Sequence, residues 1–79
     1  MDIDNLVRMA NRIGDFFDAM PDRDEARDGV ANHLKRFWEP RMRVRIVQHL
    51  DATGGAGLTP IVAEALAKHR ASLLPAHAS

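Results

Sequence analysis

The sequence predicts an all-α protein, built as a small bundle of three to four short helices. Apolar residues recur at helical spacing in four stretches of the 79-residue chain. Pro or Gly separates these stretches, and no part of the chain has the pattern of a strand. We expect helices at about residues 3–20, 23–38, 40–51 and 60–73. They should form a single domain over residues 1–74, followed by a frayed C-terminal tail at 75–79.

The first predicted helix has an apolar arc wider than one core contact requires. Asp2 or Asp4 can cap this helix, and Pro21 ends it. Its main apolar stripe follows the i, i+3, i+4, i+7 rule: Ile3, Leu6, Val7, Ala10, Ile13, Gly14 and Phe17. A second apolar set lies beside that stripe: Met9, Phe16 and Met20. The arc then covers about half the circumference, against roughly 100° for a helix that faces one core. Either another helix of this chain covers the second set, or the set contacts another subunit.

Local signals also describe the second helix. Asp22 and Glu25 have the spacing of a capping box at its start. Its inner face is expected to consist of Ala26, Val30, His33, Leu34 and Phe37. Trp38 follows Phe37 by about 100° around the helix, so we expect it to point away from that face. Gly29 either weakens this helix by about 1 kcal/mol relative to Ala or marks a close approach of another helix.

The third and fourth predicted helices each begin at a proline. Pro40 and Pro60 suit the first position of a helix, where the missing N–H is not needed. Thr59 can cap the fourth helix, and Pro75 stops it. The Gly-rich residues 52–57 between the two helices are expected to be a flexible connector.

The composition argues against most kinds of catalytic and metal site. There is no Cys, which removes disulfides, thiolate metal sites and the usual ligands of iron–sulfur clusters. The His residues lack the spacing of a zinc motif, and no Ser-His-Asp arrangement is suggested. We therefore expect no catalytic, cofactor-binding or metal-binding residue in this chain. No apolar run has the length of a membrane span and no secretory leader is visible, so we expect a soluble, cytoplasmic protein.

Charge is distributed unevenly, although the formal net charge is zero. Residues 1–28 carry eight acidic and four basic side chains, a net charge of −4, whereas residues 33–50 carry five basic and one acidic, a net charge of +4. Such a dipole orients a docking partner. The basic segment also suggests a helix-turn-helix DNA reader. The acidic first part of the chain argues against this, because DNA-binding domains show a clear basic footprint.

The most informative segment is residues 33–43, which holds the only Trp, a Phe, a Pro and four of the eleven basic residues. Aromatic and Arg side chains often anchor protein–protein contacts. We expect Phe37 and Trp38 to be anchors, and the neighbouring arginines to meet an acidic partner surface. The candidate partner-binding residues are Phe37, Trp38, Arg41, Met42, Arg43 and Arg45, with Met9, Phe16 and Met20 as a second contact. The aromatic cluster could instead be a buried corner of the domain's own core. The acidic N-terminal helix could also be the docking face, and the sequence does not rank the two.

Three blocks of the sequence resemble a known family. They are residues 6–17 (LVRMANRIGDFF), residues 33–43 (HLKRFWEPRMR) and residues 57–60 (GLTP) before an Ala-rich helix. In order and spacing, over about residues 4–68, these blocks are similar to the delta subunit of soluble NAD-dependent formate dehydrogenase.

The resemblance implies a role inside a larger enzyme. The family's enzyme oxidises formate to carbon dioxide and passes the electrons to NAD. Its large subunit carries a molybdenum (or tungsten) cofactor and iron–sulfur clusters, and its smaller subunits carry FMN, further clusters and the NAD site. The delta subunit is a small accessory chain without catalytic residues. We therefore expect a non-catalytic subunit that docks on the large catalytic subunit. The alternatives are a transient assembly factor for cofactor insertion and, from another class, the helix-turn-helix DNA binder.

Overall fold

The computed structural model describes residues 2–76, which form five α-helices. The helices are α1 (Ile3–Asp18), α2 (Arg23–Phe37), α3 (Pro40–Thr53), α4 (Pro60–Lys68) and α5 (Arg70–Leu73). No strand occurs in this part of the chain, so the all-α prediction is confirmed. The predicted number of helices is one too low, because the stretch at 60–73 divides at His69, whose backbone leaves helical geometry (φ −107°, ψ 18°). The end of the predicted tail, residues 77–79, lies outside the described residues.

Side-chain caps begin the first two helices, as predicted. Asp2 accepts a hydrogen bond from the Asp4 amide at 3.0 Å, and Asp22 accepts one from the Glu25 amide at 3.1 Å. The prediction that Thr59 caps the fourth helix is confirmed for its position but not for a side-chain hydrogen bond. Thr59 holds the N-cap position of α4, but its hydroxyl is buried and makes no hydrogen bond within residues 2–76.

The core lies where α2 packs between α1 and α4, and α3 and α5 close it from the other side. Its largest fully buried side chains are Leu34, Ile46, Ile61, Leu66, Leu73, Val30, Val47 and Val62. Two glycines permit the close approach of the helices. A Cβ at Gly14 would lie 2.5 Å from Val62 Cγ2, and a Cβ at Gly29 would collide with the Phe17 ring. Gly29 therefore marks a close helix–helix approach, one of the two interpretations that its position allowed.

The end of α2 reverses the predicted orientations of its two aromatic residues. Trp38 was expected at the surface, but it is 6% exposed and belongs to the core. Phe37 was assigned to the inner face, but it is 67% exposed. The two reversals have different causes. Phe37 is still helical and lies beside the half-buried His33, with ring centroids 4.8 Å apart, at the border of the bundle, whereas Trp38 comes after the end of α2. Trp38 has an extended backbone (φ −89°, ψ 139°), so the 100° step per residue no longer applies and the chain turns the indole inward.

Hydrogen bonds hold the connector between α3 and α4 in place. Gly54 ends α3 in the left-handed conformation (φ 73°), which favours glycine. Thr53 Oγ1 then accepts hydrogen bonds from the amides of residues 55 and 56 at 3.2 and 2.9 Å. Asn11 of α1 fixes the other end: its amide group donates to the Gly57 carbonyl at 2.9 Å, and its side-chain oxygen accepts from the Thr59 amide at 3.0 Å. The connector is therefore tied to α1, not free.

None of the helices in residues 2–76 has the length and apolar character that crossing a membrane requires.

Candidate protein-docking surface

A network of ion pairs joins α2 to α4 and to His69, the residue between α4 and α5. Glu64 accepts from Arg27 Nε at 2.9 Å, and Asp28 lies 3.1 Å from Lys68 Nζ and 2.6 Å from His69 Nε2. The His69 hydrogen bond is the largest cause that lowers the pKa of Asp28, and Lys68 adds to it. These charges are satisfied inside the domain, so they hold helices together and are not available to a partner.

A second ion pair ties the short C-terminal helix to α3. Arg70 Nη2 of α5 lies 2.6 Å from an Asp51 carboxylate oxygen, and Arg70 Nε donates to the same carboxylate at 3.2 Å. This two-point contact lowers the pKa of Asp51 below its ordinary value. The contact joins α5 to α3 at the surface, and Leu73 of α5 is fully buried in the core.

The basic residues of the central segment behave differently. None of the five basic side chains in residues 33–50 takes part in an ion pair within residues 2–76. Arg43 is partly buried and turns back, with Nη1 donating to the Lys35 carbonyl at 2.7 Å. It therefore satisfies a carbonyl in the last turn of α2. The other four keep their positive charge unpaired at the surface.

Four rings from α1 and α2 form a continuous surface feature, which we call the aromatic ridge: Phe16, Phe17, His33 and Phe37. Phe16 and Phe17 meet edge to face with ring centroids 5.0 Å apart. Phe17 and His33 follow at 6.3 Å, and His33 and Phe37 at 4.8 Å. The outer two rings are exposed, Phe16 by 74% and Phe37 by 67%, whereas the inner two are half-buried.

Arginines border the ridge on both helices. Arg12 of α1 lines a depression together with Phe16, Phe17 and His33. Arg36 of α2 has its Cζ atom 5.7 Å from the centroid of the Phe37 ring, a favourable cation–π distance. Neither arginine makes an ion pair in the described part of the chain. The ridge is therefore apolar along its length and cationic at its edges.

The outer face of α3 carries a separate shallow groove of about 330 Å³. Its lining residues are Pro40, Arg41, Val44, Arg45, Gln48 and Pro75. Two of the predicted basic contacts, Arg41 and Arg45, thus lie together on one side of α3, as their spacing predicted. The groove combines apolar walls with unpaired guanidinium groups.

No metal-binding group is assembled elsewhere: residues 2–76 contain no cluster of three or more His, Cys, Asp or Glu side chains that could hold an ion. His77 lies outside the described residues.

Comparison with known proteins gives the context for these surfaces. Residues 5–66 of the 79-residue chain match the FdsD family, described as the NADH-dependent formate dehydrogenase delta subunit. The chain belongs to this family. No match was found among curated proteins or among solved structures. The family match confirms the resemblance inferred from the three sequence blocks, over nearly the same range.

The FdsD match covers the whole aromatic ridge and ends within α4. Of the nine candidate contact residues, Phe16 and Phe37 are exposed and come together in one feature, although the sequence placed them in two separate contacts. Three methionines are half-buried against the core: Met9, Met20 and Met42. Trp38 is buried, so its expected exposure is wrong. In the second apolar set of α1, Met9 and Met20 are half-buried and Phe16 is exposed, so the rest of the domain covers this set only in part.

Sequence reasoning missed four members of this surface: Arg12, Phe17, His33 and Arg36. Phe17 and His33 were assigned to the inner faces of their helices, and both are only half-buried. One signal was available, because His33 and Phe37 are four residues apart and so share a helix face. The pairing of α1 with α2 that brings Phe17 to His33 has one signal in the sequence: Gly29 allowed a close helix approach, although its position did not say which helix approaches.

Proposed function

We propose that this chain is a non-catalytic accessory subunit of a cytoplasmic NAD-dependent formate dehydrogenase, which it stabilises or helps to assemble through protein–protein contacts. The observation that carries the proposal is the FdsD match over residues 5–66, since that family is a small subunit of a formate dehydrogenase complex. Other subunits of that complex are thereby implied as partners, and we propose the large catalytic subunit as the one contacted.

The residues present fit a role without redox chemistry. The chain has no Cys, so it lacks the thiolates that usually ligate iron–sulfur clusters. The titratable groups with shifted pKa values belong to ion pairs that join helices, not to a cleft. We therefore assign the molybdenum (or tungsten) cofactor, the iron–sulfur clusters, FMN and NAD to the partner subunits.

The surface supports a docking role. A domain of 79 residues has a small core, and such domains often gain stability from a partner. Phe16, Phe37, Arg41 and Arg45 are the residues that we propose to contact other subunits, with the exposed edges of Met9, Met20 and Met42 beside them. Large exposed aromatic rings and unpaired guanidinium groups are the side chains enriched in interface hot spots.

The test is to produce the enzyme with and without this chain and to measure formate oxidation, metal content and oligomer size together. A permanent accessory subunit remains at fixed stoichiometry in the mature enzyme, and its omission lowers activity or shifts the oligomer to smaller species. A chain that raises metal content but is missing from the mature enzyme is a transient assembly factor. Equal activity, metal content and size in both preparations would refute the proposal. Retention on DNA at low salt, with a strong salt dependence, would favour the DNA-binding alternative.

A further inference from the structure

The two ends of the aromatic ridge are the most unusual part of the surface. Within residues 2–76, Phe16 and Phe37 are the large apolar side chains that are exposed to solvent. Single exposed apolar residues are ordinary, but these two are connected through Phe17 and His33 into one contiguous feature. A contiguous apolar feature with a polar border is typical of a protein-binding site.

The shape of the ridge provides two places for side chains of a partner. The half-buried pair of Phe17 and His33 lies between two depressions. The first depression has a volume of about 460 Å³, and its other lining residues are Arg12, Ile13 and Phe16. The second has a volume of about 340 Å³, and its other lining residues are Gly29, Asn32, Arg36 and Phe37. Each depression therefore has an exposed phenylalanine and an arginine on its border. Gly29 contributes here, because a Cβ at this position would displace the Phe17 ring.

The charges indicate the chemistry of the partner. Arg12 and Arg36 have no carboxylate partner in residues 2–76, and a complementary surface would place carboxylates opposite them. A second copy of this chain docked symmetrically, ridge against ridge, would bring like charges together at both ends, which is unfavourable. A nucleic acid could also stack on the rings and pair with the arginines. It is less well matched, because a nucleic-acid site shows a clear basic footprint, whereas the formal net charge is zero and the ridge is bordered by two arginines.

We propose that the aromatic ridge is the docking site for one acidic amphipathic segment of a partner formate dehydrogenase subunit. Two apolar side chains of that segment enter the depressions beside Phe16 and Phe37, and its carboxylates pair with Arg12 and Arg36. The inference rests on the proposed function, since it takes the partner from the same complex. It goes further by naming the contact surface and the chemistry of what binds there.

The experiment co-produces the affinity-tagged full-length chain with the other formate dehydrogenase subunits and measures the dissociation constant of the purified complex. Phe16→Ala and Phe37→Ala each should weaken binding by about 30-fold, as for an interface anchor. The double charge reversal Arg12→Glu with Arg36→Glu should weaken it at least as much. Its matched control is Arg8→Glu with Lys35→Glu, which reverses two exposed charges on the same two helices outside the ridge and should leave binding within about threefold. Circular dichroism of each variant verifies that the helices remain.

The outcomes separate the two proposals. If the unmodified chain does not co-purify with the enzyme, the proposed function fails and the ridge proposal falls with it. If the unmodified chain binds and all ridge variants bind equally well, the ridge proposal alone is wrong. If the ridge charge reversal and the control charge reversal weaken binding equally, binding depends on the overall charge of the chain. That result would also contradict a specific site at the ridge. The proposal is likewise overturned if Phe37→Ala abolishes self-association of the isolated chain or binding of a single-stranded oligonucleotide while enzyme binding is unchanged.

Discussion

Replacing the two neighbouring aromatic residues at the end of α2 should have very unequal effects on stability. Trp38 is 6% exposed and belongs to the core, whereas Phe37 is 67% exposed. Trp38→Ala removes a buried indole and leaves a cavity, for which the cost is about 3–5 kcal/mol. Phe37→Ala removes a ring that is already mostly in water, so the expected change in the free energy of unfolding is within about 0.5 kcal/mol.

The size of the domain makes the first effect large. A chain of this length has a total unfolding free energy of roughly 4–12 kcal/mol, at about 0.05–0.15 kcal/mol per residue. Trp38→Ala therefore removes a substantial share of it. At about 4–8 °C per kcal/mol for a small domain, the melting temperature should fall by at least about 12 °C. Trp38→Phe keeps much of the buried volume and should give an intermediate loss.

The assay is urea unfolding of the isolated chain followed by circular dichroism at the helix band, with thermal unfolding as a second readout. The midpoint should move strongly for Trp38→Ala and barely for Phe37→Ala, with the same denaturant slope. In the unmodified chain, fluorescence of the single Trp should shift to longer wavelength as it unfolds. An alanine at position 38 that costs less than about 1 kcal/mol would refute the assignment of Trp38 to the core. So would a loss for Phe37→Ala that matches the loss for Trp38→Ala.

Three further predictions concern the connector, the helix packing and the acid side of the stability profile. Asn11→Ala removes both hydrogen bonds to the connector and should lower the free energy of unfolding by about 1–2 kcal/mol. Asn11→Asp keeps the acceptor for the Thr59 amide. Hydrogen exchange of that amide should therefore speed up more in the Ala variant than in the Asp variant. Gly14→Ala places a Cβ 2.5 Å from Val62 Cγ2. The cost of overpacking, about 1–3 kcal/mol, should outweigh the gain of about 1 kcal/mol in helix propensity, so the variant should be less stable. A higher urea midpoint than that of the unmodified chain would contradict this. The pKa of Asp28 is lowered from 3.8 in the folded protein, so its stabilising effect is complete above pH 3.8 and is lost as the pH falls through the lower folded-state value. Asp28→Asn should therefore lower the urea midpoint more at pH 7 than at pH 2. An equal change at both pH values would show that the Asp28 carboxylate does not stabilise the folded protein through its charge.

Much of the helical framework follows from local chemistry that a sequence displays. The periodicity of apolar residues, the Asp22 cap and the prolines at positions 40 and 60 place the first three helices within two residues of their observed ends. The absence of Cys is also a property of the sequence alone. The order and spacing of the three sequence blocks sufficed to recognise the family. All three blocks lie within residues 5–66, the range of the FdsD match.

Contacts between helices could not be obtained in this way, because helical periodicity orients a side chain only while the helix continues. Where α2 ends, the extended backbone of Trp38 turns its ring into the core. Phe37, still helical, lies beside the half-buried His33 and remains outside. The side chain of Asn11, one of the polar residues of α1, reaches the connector across 46 and 48 positions of sequence. The aromatic ridge likewise exists only because α1 and α2 pack closely enough to bring Phe17 beside His33. Sequence determined which segments are helical and which family they belong to; the packing of those helices decided which side chains remain available to a partner.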